Sequence, residues 1–199
     1  MMRRILMFNR VTADGYFAGP DGNLDWVVTE PAIDRMGTDA LPHVDTVLFG
    51  RRTYELFAQF WPHVADDAGA EDPHAARPLS AEQRAMARSL NEMTKLVFSR
   101  TLQDVSWRNS RIVRDLNPAE IQAMKQQPGK DMIIFGSGSI VSQFTQDSLI
   151  DEYQVVVSPV ILGRGRPLFA AVPKDVRLTL LEARGFPSGN VLLRYAPSR

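Results

Sequence analysis

The stretch Asp131-Met132-Ile133-Ile134-Phe135-Gly136-Ser137-Gly138-Ser139-Ile140 limits the fold more than any other. A strand with one wet face alternates apolar and polar residues. This one is almost continuously apolar, which predicts a central strand covered on both faces. Small residues follow at once, then a helix over about Ile140 to Phe144. The same unit recurs earlier. Ile5 to Asn9 reads as a buried strand, and Thr46 to Phe49 as another that ends at Gly50. A helix over Arg52 to Trp61 follows, with Tyr54, Phe57 and Trp61 at helical spacing on a core-facing stripe and Pro62 as its stop. Lys95 to Ser99 is a further strand, and Ile112-Val113 a short one. Ser80 with Gln83 forms a capping box that starts a helix to about Leu90. Asn117-Pro118-Ala119-Glu120 starts one that ends at Pro128-Gly129. Tyr153 to Ser158 is a strand. Val176 to Ala183 and Val191 to Tyr195 pair as a hairpin around Pro187 to Asn190. Strand then helix, repeated, with an antiparallel finish, predicts an α/β fold: a mixed, mostly parallel sheet with helices on both faces and an antiparallel C-terminal strand pair. The polar segment 62–79 is too long for a simple connection. No complete core precedes it, so residues 1–199 are read as one domain and 62–79 as a candidate lid.

Composition removes several function classes. Lys+Arg and Asp+Glu both number 23 in 199 residues, so there is no net field to gather nucleic acid or anionic lipid. There are no cysteines, which rules out disulfides, thiolate catalysis and Cys-based metal sites. No apolar run is long enough to span a membrane. Met1 to Phe8 opens like a signal peptide, but its apolar run stops at Asn9-Arg10 and reads as the first strand. A cytoplasmic location is expected. His43, His63 and His74 lack metal-ligand spacing, and no metal is expected. No serine has the G-x-S-x-G context of a hydrolase nucleophile.

Three strand ends carry groups suited to phosphate. Gly136-Ser137-Gly138-Ser139-Ile140 offers close backbone approach, two hydroxyls and a helix N-terminus; the alternative is a tight turn that binds nothing. Gly50-Arg51-Arg52-Thr53 repeats the design with two guanidinium groups, which are otherwise simply solvated. Ser99-Arg100 is the third. In an open α/β sheet ligands bind beyond the carboxyl ends of the strands. If these three strands are parallel neighbours, their ends form one groove suited to a dinucleotide.

These motifs resemble the dihydrofolate-reductase-like superfamily, and above all the reductase domain of the bifunctional riboflavin-biosynthesis deaminase/reductase with its stand-alone relatives. Phe49-Gly50-Arg51-Arg52-Thr53 is similar to the family's G-R-x-T segment, and Gly136-Ser137-Gly138 to its late glycine-rich turn. Thr12-Ala13-Asp14-Gly15-Tyr16-Phe17-Ala18 resembles the family's opening motif. Ser158 to Phe169 resembles its P-V-x-x-G-x-G-x-P-L-F segment, and Leu24-Asp25-Trp26 a motif of the stand-alone relatives. The resemblance implies the three-layer fold of that superfamily and NADPH as cofactor. It implies that Gly50, Arg51, Arg52 and Thr53 meet phosphates and that Gly136, Ser137, Gly138, Ser139 and Ile140 cradle the pyrophosphate. Ser99 and Arg100 would flank the adenosine 2′-phosphate, a role that rests on Arg100 and on the absence of an acid beside it. It also implies a homodimer.

Reduction needs a proton source as well as a hydride. Asp14 is a candidate acid or an Asp-Gly turn residue. Asp25 is a candidate acid or a helix N-cap, and Trp26 beside it would keep a carboxyl neutral. Arg164 and Arg166, in the region that borders the substrate in the resembled family, are candidates to hold an anionic substrate group, and Trp26 is a further candidate substrate-binding residue. The expected function is an NADPH-dependent reductase acting on a C=N or C=O bond of a small heterocyclic or sugar-phosphate substrate. The alternative is a non-catalytic nucleotide-binding or dimeric interaction protein on the same fold.

Overall fold

The computed structural model describes residues 2–65, 67, 70–72, 75–170 and 172–198. His74 lies outside them. The strands are β1 (Ile5–Thr12), β2 (Tyr16–Ala18), β3 (Val44–Gly50), β4 (Glu71–Asp72), β5 (Ala75–Pro78), β6 (Thr94–Phe98), β7 (Ser110–Val113), β8 (Asp131–Phe135), β9 (Glu152–Ser158), β10 (Arg166–Pro167), β11 (Leu178–Gly185) and β12 (Val191–Pro197). The helices are α1 (Pro31–Ala40), α2 (Arg51–Val64), α3 (Ala81–Glu92), α4 (Pro118–Gln126) and α5 (Gly138–Gln146).

Eight strands form one sheet in the order β11-β12-β9-β1-β8-β3-β6-β7. All its pairings are parallel except those of β12, which runs against both β9 and β11. The continuous apolar run of β8 sits between β1 and β3, with Leu6 beside Ile133 and Leu48 beside Ile134. That is the doubly covered position its composition predicts. Residues of opposite parity feed two cores. On one face Ile5, Met7, Ile134 and Leu48 pack under Ile121 of α4 and Ile140, Val141 and Phe144 of α5. On the other, Leu6, Val47, Phe49 and Ile133 pack with Tyr54 of α2 and Leu90 of α3. The result is the three-layer, dihydrofolate-reductase-like arrangement with an antiparallel C-terminal pair.

Local capping chemistry fixes several helix starts. Ser80 Oγ accepts from Gln83 N and Gln83 Oε1 from Ser80 N, a complete capping box. Asn117 Oδ1 accepts from Ala119 N at 3.0 Å. Lys95 is fully buried at the end of α3, where Nζ donates to Leu90 O (2.7 Å) and Met93 O (2.8 Å) and stands 4.5 Å from the Trp107 ring centroid.

The structure departs from the sequence reading in two places. Helix α1 goes unread in the sequence because Ile33 is its one buried residue and Gly37, Thr38 and Asp39 dilute its apolar stripe. Its start is nonetheless built by Pro31 in the first turn and by Glu30, whose carboxylate accepts from Ala32 N at 3.1 Å. Helix α2 continues through Pro62 to Val64 rather than stopping. A proline in the last turn removes one helical bond, while Val64 and Ala65 are buried against Ala70, Leu79 and Ala87 and stabilise that turn. The segment 62–79 thus opens with the end of α2 and holds the short β4–β5 pairing.

Candidate functional site

Strands β8, β3 and β6 are parallel neighbours, so Phe135, Gly50 and Phe98 end side by side at one edge of the sheet. The two glycine turns beyond β3 and β8 touch. A Cβ added at Gly50 would lie 1.9 Å from Ser137 Oγ and 3.1 Å from Ile140 Cγ1. Gly136 has φ +59°, a conformation that favours glycine, and a Cβ there would stand 3.1 Å from Thr53 Cγ2. At Gly138 a Cβ would meet Phe17 Cε1 at 2.9 Å. Asn9 on β1, which sequence reading missed, fixes the turn from below: its Oδ1 accepts from Gly136 N at 2.9 Å. Asn9 is buried, and its Nδ2 has no partner among the described residues.

Helix caps mark this edge. Helices α1, α3 and α4 have side-chain N-caps in Glu30, Ser80 and Asn117. Helices α2 and α5, which begin at the two touching turns, have none. No side chain therefore caps either first turn; in α5 the N–H of Ile140 goes to Ser137 O at 2.9 Å, and the positive ends of both helix dipoles lie at this edge. Neither first turn contains an acid, and that of α2 carries exposed Arg51 and Arg52. Among the described residues Arg51 pairs with Glu55, at 4.0 Å.

At the third strand end Ser99 Oγ accepts from Leu102 N (2.9 Å) and Thr101 N (3.2 Å), closing a turn. Arg100 corrects the sequence reading. An acid does stand beside it, because the chain leaving β7 delivers Asp115, whose Oδ1 accepts from Arg100 Nε at 3.0 Å and lies 2.9 Å from Nη2. Both side chains are highly exposed, at 81% and 72%. An exposed pair of this kind holds weakly and exchanges readily for another anion.

The remaining expected site residues are scattered. Asp14 Oδ1 accepts from Thr12 Oγ1 (2.6 Å) and Leu162 N (3.3 Å), and Oδ2 accepts from Gly163 N at 2.7 Å. The Thr12 hydroxyl foremost, with these backbone donors, holds the Asp14 carboxyl below its ordinary value. A carboxylate kept in its charged, accepting form suits an anchor between the β1–β2 turn and the 160s loop. Asp25 is exposed and Trp26 buried, its Nε1 without a partner among the described residues. Arg164 is exposed. The Arg166 guanidinium packs on the 19–23 turn, where a Cβ at Gly22 would meet Nη1 at 3.1 Å.

A cavity of about 460 Å³ lies on the sheet face covered by α1, α2 and α3, next to the phosphate-compatible edge through Phe135, the residue before Gly136. Phe8, Phe57, Trp61 and Phe135 form aromatic walls. Phe57 stacks on Phe135 with centroids 5.9 Å apart. The polar groups are Arg10, Thr29, Asp34, Thr38, Gln154 and Arg194, with Glu82 and Gln83 from α3. None of Asp14, Asp25, Trp26, Arg164 or Arg166 lines it. Phe57 and Trp61 were legible as an apolar stripe; Arg10 and Asp34 carried no signal, since only folding brings β1 against α1. No three metal-ligating side chains gather among the described residues, and none of the described helices is long and apolar enough to cross a membrane.

The model of the RibD C-terminal domain matches residues 3–192. The uncharacterized protein YyaP of Bacillus subtilis (strain 168) is 32% identical over 193 residues, covering 97% of this chain and 94% of the relative. YwjB of the same organism is 28% identical over 187 residues, covering 94% of each. Among solved structures, a putative riboflavin biosynthesis protein from Shewanella sp. PV-4 superposes over the whole of both chains with a TM-score of 0.73 at 20% identity. Dihydrofolate reductase from Enterococcus faecalis, complexed with NADP(H) and RAB-propyl, also superposes over the whole of both chains, with a TM-score of 0.63 at 12% identity. The chain belongs to the RibD C-terminal domain family, and it shares the fold of dihydrofolate reductase.

Proposed function

We propose that this protein is an NADPH-dependent reductase that acts on a C=N or C=O bond of a small molecule held in the aromatic cavity. The observation that carries the reading is the pair of uncapped helix N-termini, α2 and α5, meeting at adjacent strand ends with only glycine-sized space between them. In this reading Gly50, Arg51, Arg52 and Thr53 bind phosphate, and Gly136, Ser137, Gly138, Ser139 and Ile140 cradle the pyrophosphate. Ser99 and Arg100 take the adenosine end, with Arg100 exchanging Asp115 for the 2′-phosphate. The cofactor supplies hydride when bound. The chain's own residues orient the substrate against Phe57 and Phe135 and exclude water from the cavity. Asp14 holds two loops in register. Asp34 and Glu82 are the carboxylates on the cavity wall, and in this reading Asp34 takes the proton-relay role in place of Asp14 and Asp25, which lie off that wall. Such an enzyme operates in the cytoplasm.

The reading includes a homodimer through β11. This edge strand exposes Leu178, Leu180 and Leu181, the last two at 54% and 52%. A long apolar edge is a surface that proteins normally cover.

The test is a thermal melt with saturating NADPH and, separately, NADH. At 100 times the dissociation constant, ligand linkage stabilises by about 2.7 kcal/mol, and for a chain of this size that raises Tm by roughly 5–10 °C. A shift of that size with NADPH and a smaller one with NADH is the expected result. Equal shifts would remove the 2′-phosphate role of Arg100. No shift with either, in folded protein, would favour the non-catalytic alternative.

A further inference from the structure

We propose that the compound taken by the aromatic cavity is a neutral, flat, largely apolar ring system without a phosphate or other anionic group. This rests on the reductase reading for its chemistry and narrows the substrate class of the same site. The cavity's size, about 460 Å³, suits one small molecule. Its walls are ring faces and edges. Phe57 lies 5.9 Å from Phe135 and 6.0 Å from Trp61, and Phe8 meets Phe135 edge-on at 6.2 Å. A planar ring stacks well on such surfaces.

The charges in the walls argue against an anion. Arg10 and Arg194 are the two cations lining the cavity among the described residues. Neither is at liberty to take a phosphate. Arg10 Nη2 pairs with Asp34 Oδ1 at 3.4 Å, and its Nη1 donates to Val28 O at 3.3 Å. Arg194 spends all three guanidinium nitrogens on acids: Nε and Nη2 lie 2.8 Å from Glu152 Oε1, and Nη1 is 3.0 Å from Glu182 Oε2. Glu152 is 4% exposed, and besides Arg194 it has Gln154 Nε2 at 2.8 Å and the more distant Arg4 at 3.6 Å, so drawing Arg194 away would cost a buried carboxylate its nearest cation. Asp34 and Glu82 also line the cavity. An entering anion would therefore meet balanced cations and two acids. Arg164 and Arg166, the cations expected from sequence to hold an anionic group, lie off the cavity wall. The phosphate-compatible groups of this chain collect beyond the cavity wall, at the strand ends where α2 and α5 begin.

Gly37 gives a direct test. It lines the cavity on α1, and a Cβ added there meets nothing within 4 Å. Gly37→Phe has a clear Cβ position and adds a ring at a helical residue that lines the cavity. The experiment titrates the full chain with the neutral fluorophore N-phenyl-1-naphthylamine and competes it with uridine 5′-monophosphate and ribose 5-phosphate. NADPH melts run in parallel on every protein. The wild-type protein is expected to bind the fluorophore and neither phosphate compound is expected to displace it. Gly37→Phe is expected to lose fluorophore affinity by at least about tenfold, the weight of one well-packed ring contact, with the NADPH melt shift retained. Asp34→Asn, which removes the charge balancing Arg10, is expected to raise uridine 5′-monophosphate affinity by about tenfold, the scale of one charge-assisted hydrogen bond. Displacement by either phosphate compound in the wild-type protein overturns the proposal. So does unchanged fluorophore binding in Gly37→Phe, or unchanged nucleotide affinity in Asp34→Asn. A missing NADPH shift in the wild-type protein overturns the reductase reading instead, while the titrations still decide which ligand class the cavity takes.

Discussion

One methyl group added at Gly50 would force the two helix N-termini apart. Its carbon would stand 1.9 Å from Ser137 Oγ, 3.0 Å from Ser137 Cβ and 3.1 Å from Ile140 Cγ1. Rotating the serine hydroxyl away removes the first contact but not the second. Overpacking of this kind costs about 1–3 kcal/mol, so Gly50→Ala is expected to lower Tm by roughly 2–10 °C. Ser137→Gly removes both serine atoms. It also relieves a residue held at φ +62°, ψ +76° in the left-handed region, and alone should stabilise by at most about 1 kcal/mol. In the double variant only the end of the Ile140 side chain remains to yield. Its stability should return to within about 1 kcal/mol of the parent, with a coupling energy of about 1–2 kcal/mol. Urea denaturation of the four proteins measures this cycle. The NADPH melt shift should fall in Gly50→Ala and recover in the double variant. Additivity within about 0.5 kcal/mol, or a Gly50→Ala protein as stable as the parent, would refute the idea that Gly50 is there to make room for Ser137.

Burial, and then the neighbouring Arg108, push the Lys95 ammonium down to about 8 from its ordinary 10.5. Between those values the unfolded chain binds more protons, so stability should rise with pH across that window by up to about 3 kcal/mol. Lys95→Met should abolish that segment of the profile in urea melts, and identical pH profiles for the two proteins would refute it. Arg100→Ala should weaken NADPH binding by about tenfold and NADH binding little, as for loss of one charge-assisted phosphate contact. Asp115→Asn, which releases Arg100, should strengthen NADPH binding; titrations with both nucleotides decide. Leu181→Lys on β11 should shift the protein from dimer to monomer in sedimentation without a drop in Tm larger than about 1–2 °C beyond what dissociation brings. A dimer unchanged by this substitution would remove β11 from the interface.

What the sequence determined by itself was short-range. Apolar runs, a capping box at Ser80–Gln83, Pro118 after Asn117, and strand–glycine–helix junctions at Gly50 and Gly136 all act within a few residues. Elements and turn chemistry could therefore be read before any contact was known. Ser99, Gly50 and Gly136 each announced a strand end, but their becoming one edge followed from β8 inserting between β1 and β3. Tertiary structure alone decided the rest. Asn9 holds Gly136 across 127 positions, and Asp115 reaches Arg100 because β7 lies beside β6. Helix α1 survives a weak apolar stripe because the fold packs Ile33 with Val156 and Leu192 of the sheet, with Met36 against them. Arg10 and Arg194 read in the sequence as two more cations. Only the fold supplies Asp34, Glu152 and Glu182 to balance them, because strand register, not chain proximity, sets which charges meet.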